Sequence, residues 1–164
     1  MGVLTDWFRA ADAESVVAAL IRSEGGSPLG GPGAGFAGVE AKQVDPTVLL
    51  GQLVAAVRRI PWQVDLVATR TVWPTGPAPG PDGPAEEDDP WLTGPWVEEV
   101  DGAVRDVLAD VPDHEIAAVA ARWARAEEWH GATGEELRPL VEDLVRLARQ
   151  ARAEGERLYC WICL

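Results

Sequence analysis

Lysine is nearly missing from this chain: Lys42 is the only one, and arginine supplies every other residue of the 14 bases. Against 27 acids this leaves a net charge of −13. Nucleic acids and anionic membranes are poor partners for such a composition, because neutralising phosphates needs clustered Arg and Lys. Long apolar runs are missing too. No stretch approaches the ~18–20 residues a membrane-spanning helix requires. The start "MGVLTDWFRAADAE" has no apolar run behind a basic region, as a secretory signal would. Asp6 stands where N-myristoylation wants Ser or Thr, and Trp161 stands where prenylation wants Cys. These absences lead us to expect a soluble, cytoplasmic protein. In that compartment the two cysteines, Cys160 and Cys163, are expected as reduced thiols.

Catalytic signatures are equally scarce. There is no Gly-x-Ser-x-Gly, and "GGPGAGF" is followed by no Gly-Lys-Ser/Thr and preceded by a helical pattern rather than a strand. A structural zinc site wants four ligands, and His114 and His130 lack the close pairing of zinc motifs. We therefore expect no metal, no cofactor and no catalytic residue.

What is present is a globular composition. The 164 residues are 47% hydrophobic and 25% charged, enough for one domain with a real core. Eight tryptophans stand against two phenylalanines and one tyrosine. Indole couples a large apolar face to one N–H donor, so core positions are the first expectation and pocket edges or interfaces the second. The charge is uneven. From Asp82 to Glu115 there are twelve acids and one base, Arg105, so this segment carries −11 of the −13.

Periodicity organises the chain. After an apolar start (Val3, Leu4, Trp7, Phe8), Asp12 caps a helix to about Ser23 whose face is Val16, Val17, Leu20 and Ile21. "GGSPLGGPGAGFAG" reads as a loop and "VEAKQV" as a short strand. Asp45-Pro46 starts a helix that buries Leu49, Leu50, Leu53, Val54 and Val57. "VDLVATRTV" alternates as a strand. Half of "PTGPAPGPDGPAEEDDPWLTGP", residues 74–95, is Pro or Gly, which predicts a mobile insertion without regular elements. "WVEEV" reads as a strand before an Asp101-capped helix, with a single helix from Trp96 as the alternative. Pro112-Asp113 restarts the chain, with Ile116, Val119, Ala120 and Trp123 inward. Thr133-Gly-Glu-Glu136 is a capping box ahead of a long helix. Pro139 in its second turn predicts a shifted start or a kink, and Gly155 ends it. The expected class is α+β: a single domain, several helices packed on a small sheet, with a C-terminal strand within it.

The ending "RLYCWICL" could be a Cys-x-x-Cys motif or a strand. Tyr, Cys, Trp and Ile favour strand, which sends Cys160 and Cys163 to opposite faces. No helix N-terminus follows to activate a thiol, so buried packing is the reading. Glu127-Glu-Trp-His130 has the spacing of helix-borne di-iron ligands, but that chemistry needs two copies. Asp113-His114-Glu115 could serve acid–base work, yet acids in a first turn are also what helix starts look like. For Lys42, the general preference for arginine accounts for its isolation.

The stretches "MGVLTDWF", "VEAKQVDPTVLLGQL" and "GERLYCWICL" together resemble a family of small actinobacterial proteins and, more distantly, the YfbM-like domain of unknown function. That resemblance implies an α+β cytosolic domain with no catalytic residues to carry over.

Two functions compete. The first is a non-enzymatic interaction protein, an acidic inhibitor or immunity-type partner of a basic protein. Its expected surface is Asp101, Asp106, Asp110 and Asp113, flanked by Trp91 and Trp96 as apolar anchors. The alternative is a small-molecule binding protein or enzyme with a tryptophan-lined pocket and Glu127, Glu128 and His130 at its mouth.

Overall fold

The computed structural model describes residues 3–30, 35–84 and 86–164. The loop read at 25–38 and the insertion at 74–95 each fall partly outside that range, as does the Gly2 of the acylation reading.

The apolar start, to which the sequence reading assigns no element, is a strand, β1 (Leu4–Ala10). Polar residues interrupt both of its faces (Thr5 and Arg9 beside Trp7, Asp6 beside Phe8), so no alternation shows. Trp7 enters one core, while Phe8 and Ala10 enter another. β1 pairs antiparallel with β2 (Gly38–Lys42) on one side and with β5 (Arg157–Cys163) on the other. β5 continues to β4 (Trp96–Val100), and β4 to β3 (Thr69–Trp73). The order β2-β1-β5-β4-β3 is antiparallel throughout and places the C-terminal strand at its centre. A near-continuous apolar run is what a strand covered on both faces should show. Leu158 and Cys160 face one core; Tyr159 and Trp161 face the other. Gly38 lets β2 come this close: a Cβ there would lie 2.3 Å from the Trp7 carbonyl oxygen.

Helices cover both sides. α1 (Ala13–Arg22) is capped by Asp12, which accepts from the Ser15 N–H at 2.8 Å. With Leu29 and Phe36 it closes the face carrying Phe8, Val72, Val97, Tyr159 and Trp161. Val16 and Leu20 are buried as expected, but Ile21 is exposed, because a lone helix needs only a narrow stripe against this face. The opposite face is covered by α2 (Leu49–Arg58), α4 (Gly102–Ala109), α5 (Ile116–Trp123) and α6 (Gly134–Ala153). α6 carries the predicted capping box and packs chiefly on α4 and α5. It runs unbroken through Pro139 with no shift of its start; the ring removes one N–H at a turn whose neighbouring residues face solvent.

Three boundaries move. Asp45 does cap, accepting from Thr47, Val48 and Leu49, but it organises a turn, and the α-helix begins only at Leu49. The strand read from Val64 starts at Thr69. Residues 64–67 turn instead, with the Leu66 N–H donating to Gln63, because β4 offers only five residues for pairing. The insertion is not wholly irregular: Asp89 caps a four-residue helix, α3 (Pro90–Thr93). No helix among the described residues is long and apolar enough to cross a membrane.

Four tryptophans are buried (Trp7, Trp123, Trp129, Trp161), and the buried indoles mostly donate to distant carbonyls. Trp7 reaches Val44 at 2.8 Å, Trp123 reaches Leu49 at 2.9 Å and Trp161 reaches Gly25 at 3.0 Å. These bonds fasten loops and helix starts to the core.

Candidate functional site

The acids of the expected interaction surface do not form a bare negative face. Asp101 is spent capping α4, accepting from Ala103 at 2.8 Å. Asp106 pairs with Arg105 at 2.8 Å, Asp110 with Arg152 at 2.6 Å and Asp113 with Arg149 at 2.8 Å. The hydrogen bond that Arg152 donates to Asp110 holds its guanidinium above the ordinary range. Arginines on α6 thus answer Asp110, which closes α4, and Asp113 in the 3-10 turn that follows, while Asp106 on α4 is answered from within its own helix. Exposed pairs of this kind contribute little stability, but they cancel local charge.

The two flanking tryptophans sit elsewhere. Trp96 opens β4 and Asp101 follows its end, about 17 Å away at the rise of a strand. Trp96 donates its indole N–H to the Trp91 carbonyl at 3.2 Å, so those two are neighbours. Trp91 borders an open groove of about 580 Å³ between α1, β3 and the insertion, whose walls include Glu14, Val17, Val72 and Pro74. β3 is the last strand of the sheet, so its outer edge has no strand partner. Of the segment's other acids, Glu99 and Glu115 pair with arginines, Asp89 caps a helix and Glu98 accepts from Thr71, whereas Asp82, Glu86, Glu87 and Asp88 are exposed and make no ion pair among the described residues. Most of the free negative charge therefore belongs to the insertion, three to nine residues ahead of Trp91.

The alternative site also rearranges. Glu127 and Glu128 lie in a single 3-10 turn, and His130 follows in the left-handed region at φ 50°. A hydrogen bond from Gln52 Nε2 at 2.8 Å holds the Glu128 carboxyl below its usual range. A tryptophan-lined groove of about 490 Å³ does open beside this turn, bordered by Trp62 and Trp123. Its charged lining is not the predicted acids but Arg59, Arg122 and Arg125. Sequence reading missed these because they come from the ends of two helices some sixty residues apart.

One buried polar cluster was missed altogether. Glu99 is 8% exposed, and it accepts from Tyr159 Oη at 3.1 Å, Arg70 at 2.8 Å and Arg157 at 3.2 Å. Arg70, Glu99 and Tyr159 are direct cross-strand partners on β3, β4 and β5. Both carboxylate oxygens of Glu99 face donors, and the cluster borders the β3 groove only through Arg70, so it reads as a staple across three strands rather than a reacting group. Period-two alternation put Glu99 on the face of Val97, which was the available signal. Burial, and next the Glu99 charge, pushes the Tyr159 hydroxyl above its ordinary value of about 10. Its neutral form is thus favoured by folding. That stability is complete below about pH 10 and is lost as pH rises from there through the folded value. With one tyrosine in the chain, the phenolate absorbance reports this residue alone. We expect that band to appear only together with loss of far-ultraviolet circular dichroism; smooth titration near pH 10 in the folded protein would contradict the burial.

Cys160 is buried and its thiol is pushed well up by burial, so it offers no thiolate at neutral pH; Cys163 is half-buried on the opposite face. Among the described residues no three His, Cys, Asp or Glu side chains converge as a metal ion would need. No family model matches the chain, and neither a curated protein nor a solved structure matches it.

Proposed function

We propose that this is a binding protein of the cytoplasm that takes an extended basic segment of a partner protein along the outer edge of β3. The observation that carries the reading is the pairing of that edge and its groove with the acids at 82–88 that no arginine neutralises. An edge strand offers unpaired N–H and C=O groups to a segment laid beside it, and alternate side chains of such a segment can enter an adjacent groove. In the groove, Val17, Val72, Pro74 and Trp91 suit its apolar residues and Glu14 a basic one, while Arg70 is answered by Glu99; the insertion's acids lie outside this lining and act through longer-range attraction. Such an arrangement suits an inhibitor or immunity-type role.

The test uses a synthetic peptide alternating lysine and valine, followed by amide shifts. The expected result is a saturable shift of the Thr69–Trp73 amides that weakens with salt, as exposed charge attraction does. Replacing residues 75–88 with a Gly/Ser linker of equal length should abolish the shift and leave the melting temperature nearly unchanged, since those residues bury little. Reversing Asp106 and Asp110 should leave peptide binding intact. If the peptide shifts no β3 amide, or if the α4 reversal removes binding while the insertion swap does not, the reading is wrong.

A further inference from the structure

On the far side of the sheet from the β3 groove, we infer a binding site for a small organic anion with a planar ring, in the groove between the C-terminal ends of α2 and α5. The inference is independent of the partner-binding reading. In a chain this acidic, three of the arginines border one concavity of about 490 Å³, within the usual range for small-ligand sites.

Arginines in last helical turns commonly answer the helix dipole, so that role has to be set against the geometry. Arg122 does donate through Nε to the Ala56 carbonyl at 2.8 Å. Several other terminal carbonyls are met by backbone: Arg59 and Ile60 donate to Ala55, Arg125 donates to Arg122, and Ala126 donates to Trp123. The Arg59 side chain donates to Glu115 rather than to a helix-end carbonyl, and that of Arg125 has no such bond among the described residues. Arg59 and Arg122 share one carboxylate, Glu115, at 3.1 and 3.9 Å. Arg125 has no ion pair among the described residues. The groove keeps a positive excess, and a guanidinium fork matches carboxylate or phosphate oxygens two at a time.

The wall is built to carry a ring. Trp62 is 40% exposed and the preceding Ile60 is 42% exposed, an apolar surface that solubility does not call for. The N–H edge of the Trp62 indole comes so close to α2 that a Cβ on Gly51 would lie 2.8 Å from its Nε1. Glycine inside a helix costs about 1 kcal/mol relative to alanine. Here Gly51 lets one half-exposed indole seat against the helix, on a groove that three arginines also line. Aromatic face plus cationic rim selects a ring bearing an anionic group, over a bare anion or a neutral ring.

The probes are benzoate and phenyl phosphate, with benzyl alcohol and inorganic phosphate as controls, read on the indole N–H resonance that Trp62→Phe identifies. We expect saturable shifts of that resonance with at least one ring anion, and much weaker shifts with either control. The tighter of the two tells carboxylate from phosphate ester. Arg125→Gln should weaken binding roughly tenfold or more while leaving the melting temperature unchanged, as loss of a charged hydrogen bond predicts. Gly51→Ala should hold or raise stability through helix propensity, yet weaken binding several-fold by displacing Trp62. Equal binding of benzyl alcohol, no response to Arg125→Gln, or full affinity in Gly51→Ala would overturn the inference. So would a Trp62 shift that follows protein concentration in step with dimerisation and not the probe.

Discussion

Deleting residues 158–164 is expected to abolish soluble folding rather than merely lower stability. Among the described residues β5 is the only strand joining the β1–β2 pair to the β4–β3 pair. Without it the sheet falls into two two-stranded fragments, each marginal in water. Leu158, Tyr159, Cys160 and Trp161 are all buried. Burying a large apolar side chain contributes about 1.5–3 kcal/mol, so three such residues and a thiol approach the whole 5–15 kcal/mol by which domains are stable. The deletion also strands Glu99, which loses the Tyr159 hydroxyl and Arg157's anchoring strand. Far-ultraviolet circular dichroism and gel filtration of the truncated chain check this. A soluble monomer melting at the full-length temperature would overturn the central placement of β5.

The second large effect is expected from Trp7→Ala. Trp7 stands opposite Cys160 on β5 and Val39 on β2, with its indole in the larger core. Truncating a buried indole costs about 3–5 kcal/mol through lost transfer energy and the cavity left behind. The Val44 carbonyl, in a fully buried residue, also loses its donor, which adds about 1–3 kcal/mol if no water enters. For a chain of this size that corresponds to a fall in Tm of roughly 10–20 °C. Trp7→Phe keeps most of the volume and loses the hydrogen bond, so a smaller loss is expected. Val64→Ala, in an exposed turn, should change stability by less than about 0.5 kcal/mol. Urea unfolding of the three variants measures the order. Equal losses for Trp7→Ala and Val64→Ala would show that β1 is not the core strand described.

Elements governed by local rules were legible without the structure. Asp12, Asp101 and Thr133 cap the helices they were expected to cap, because a cap is decided within three residues. The alternation of "RLYCWIC" placed Cys160 and Tyr159 on opposite faces, and they enter different cores. Elements governed by pairing were not. The alternating residues from Val64 form no strand before Thr69, since a strand exists only where a partner strand runs beside it. β1 showed no period to read, because Thr5, Asp6 and Arg9 interrupt both of its faces, and pairing with β2 and β5 decides it.

The candidate sites follow the same division. Sequence alone located the tryptophan excess and the −11 segment, since composition and charge do not depend on folding. Which of those charges remain free was decided by tertiary contact. Packing of α6 on α4 brings Arg149 and Arg152 to Asp113 and Asp110, and leaves the insertion's acids unanswered. The arginine groove is likewise a product of two helix ends, sixty residues apart in sequence, meeting at one surface. Coulomb attraction depends on distance in space, and distance between remote residues is what a linear pattern does not contain.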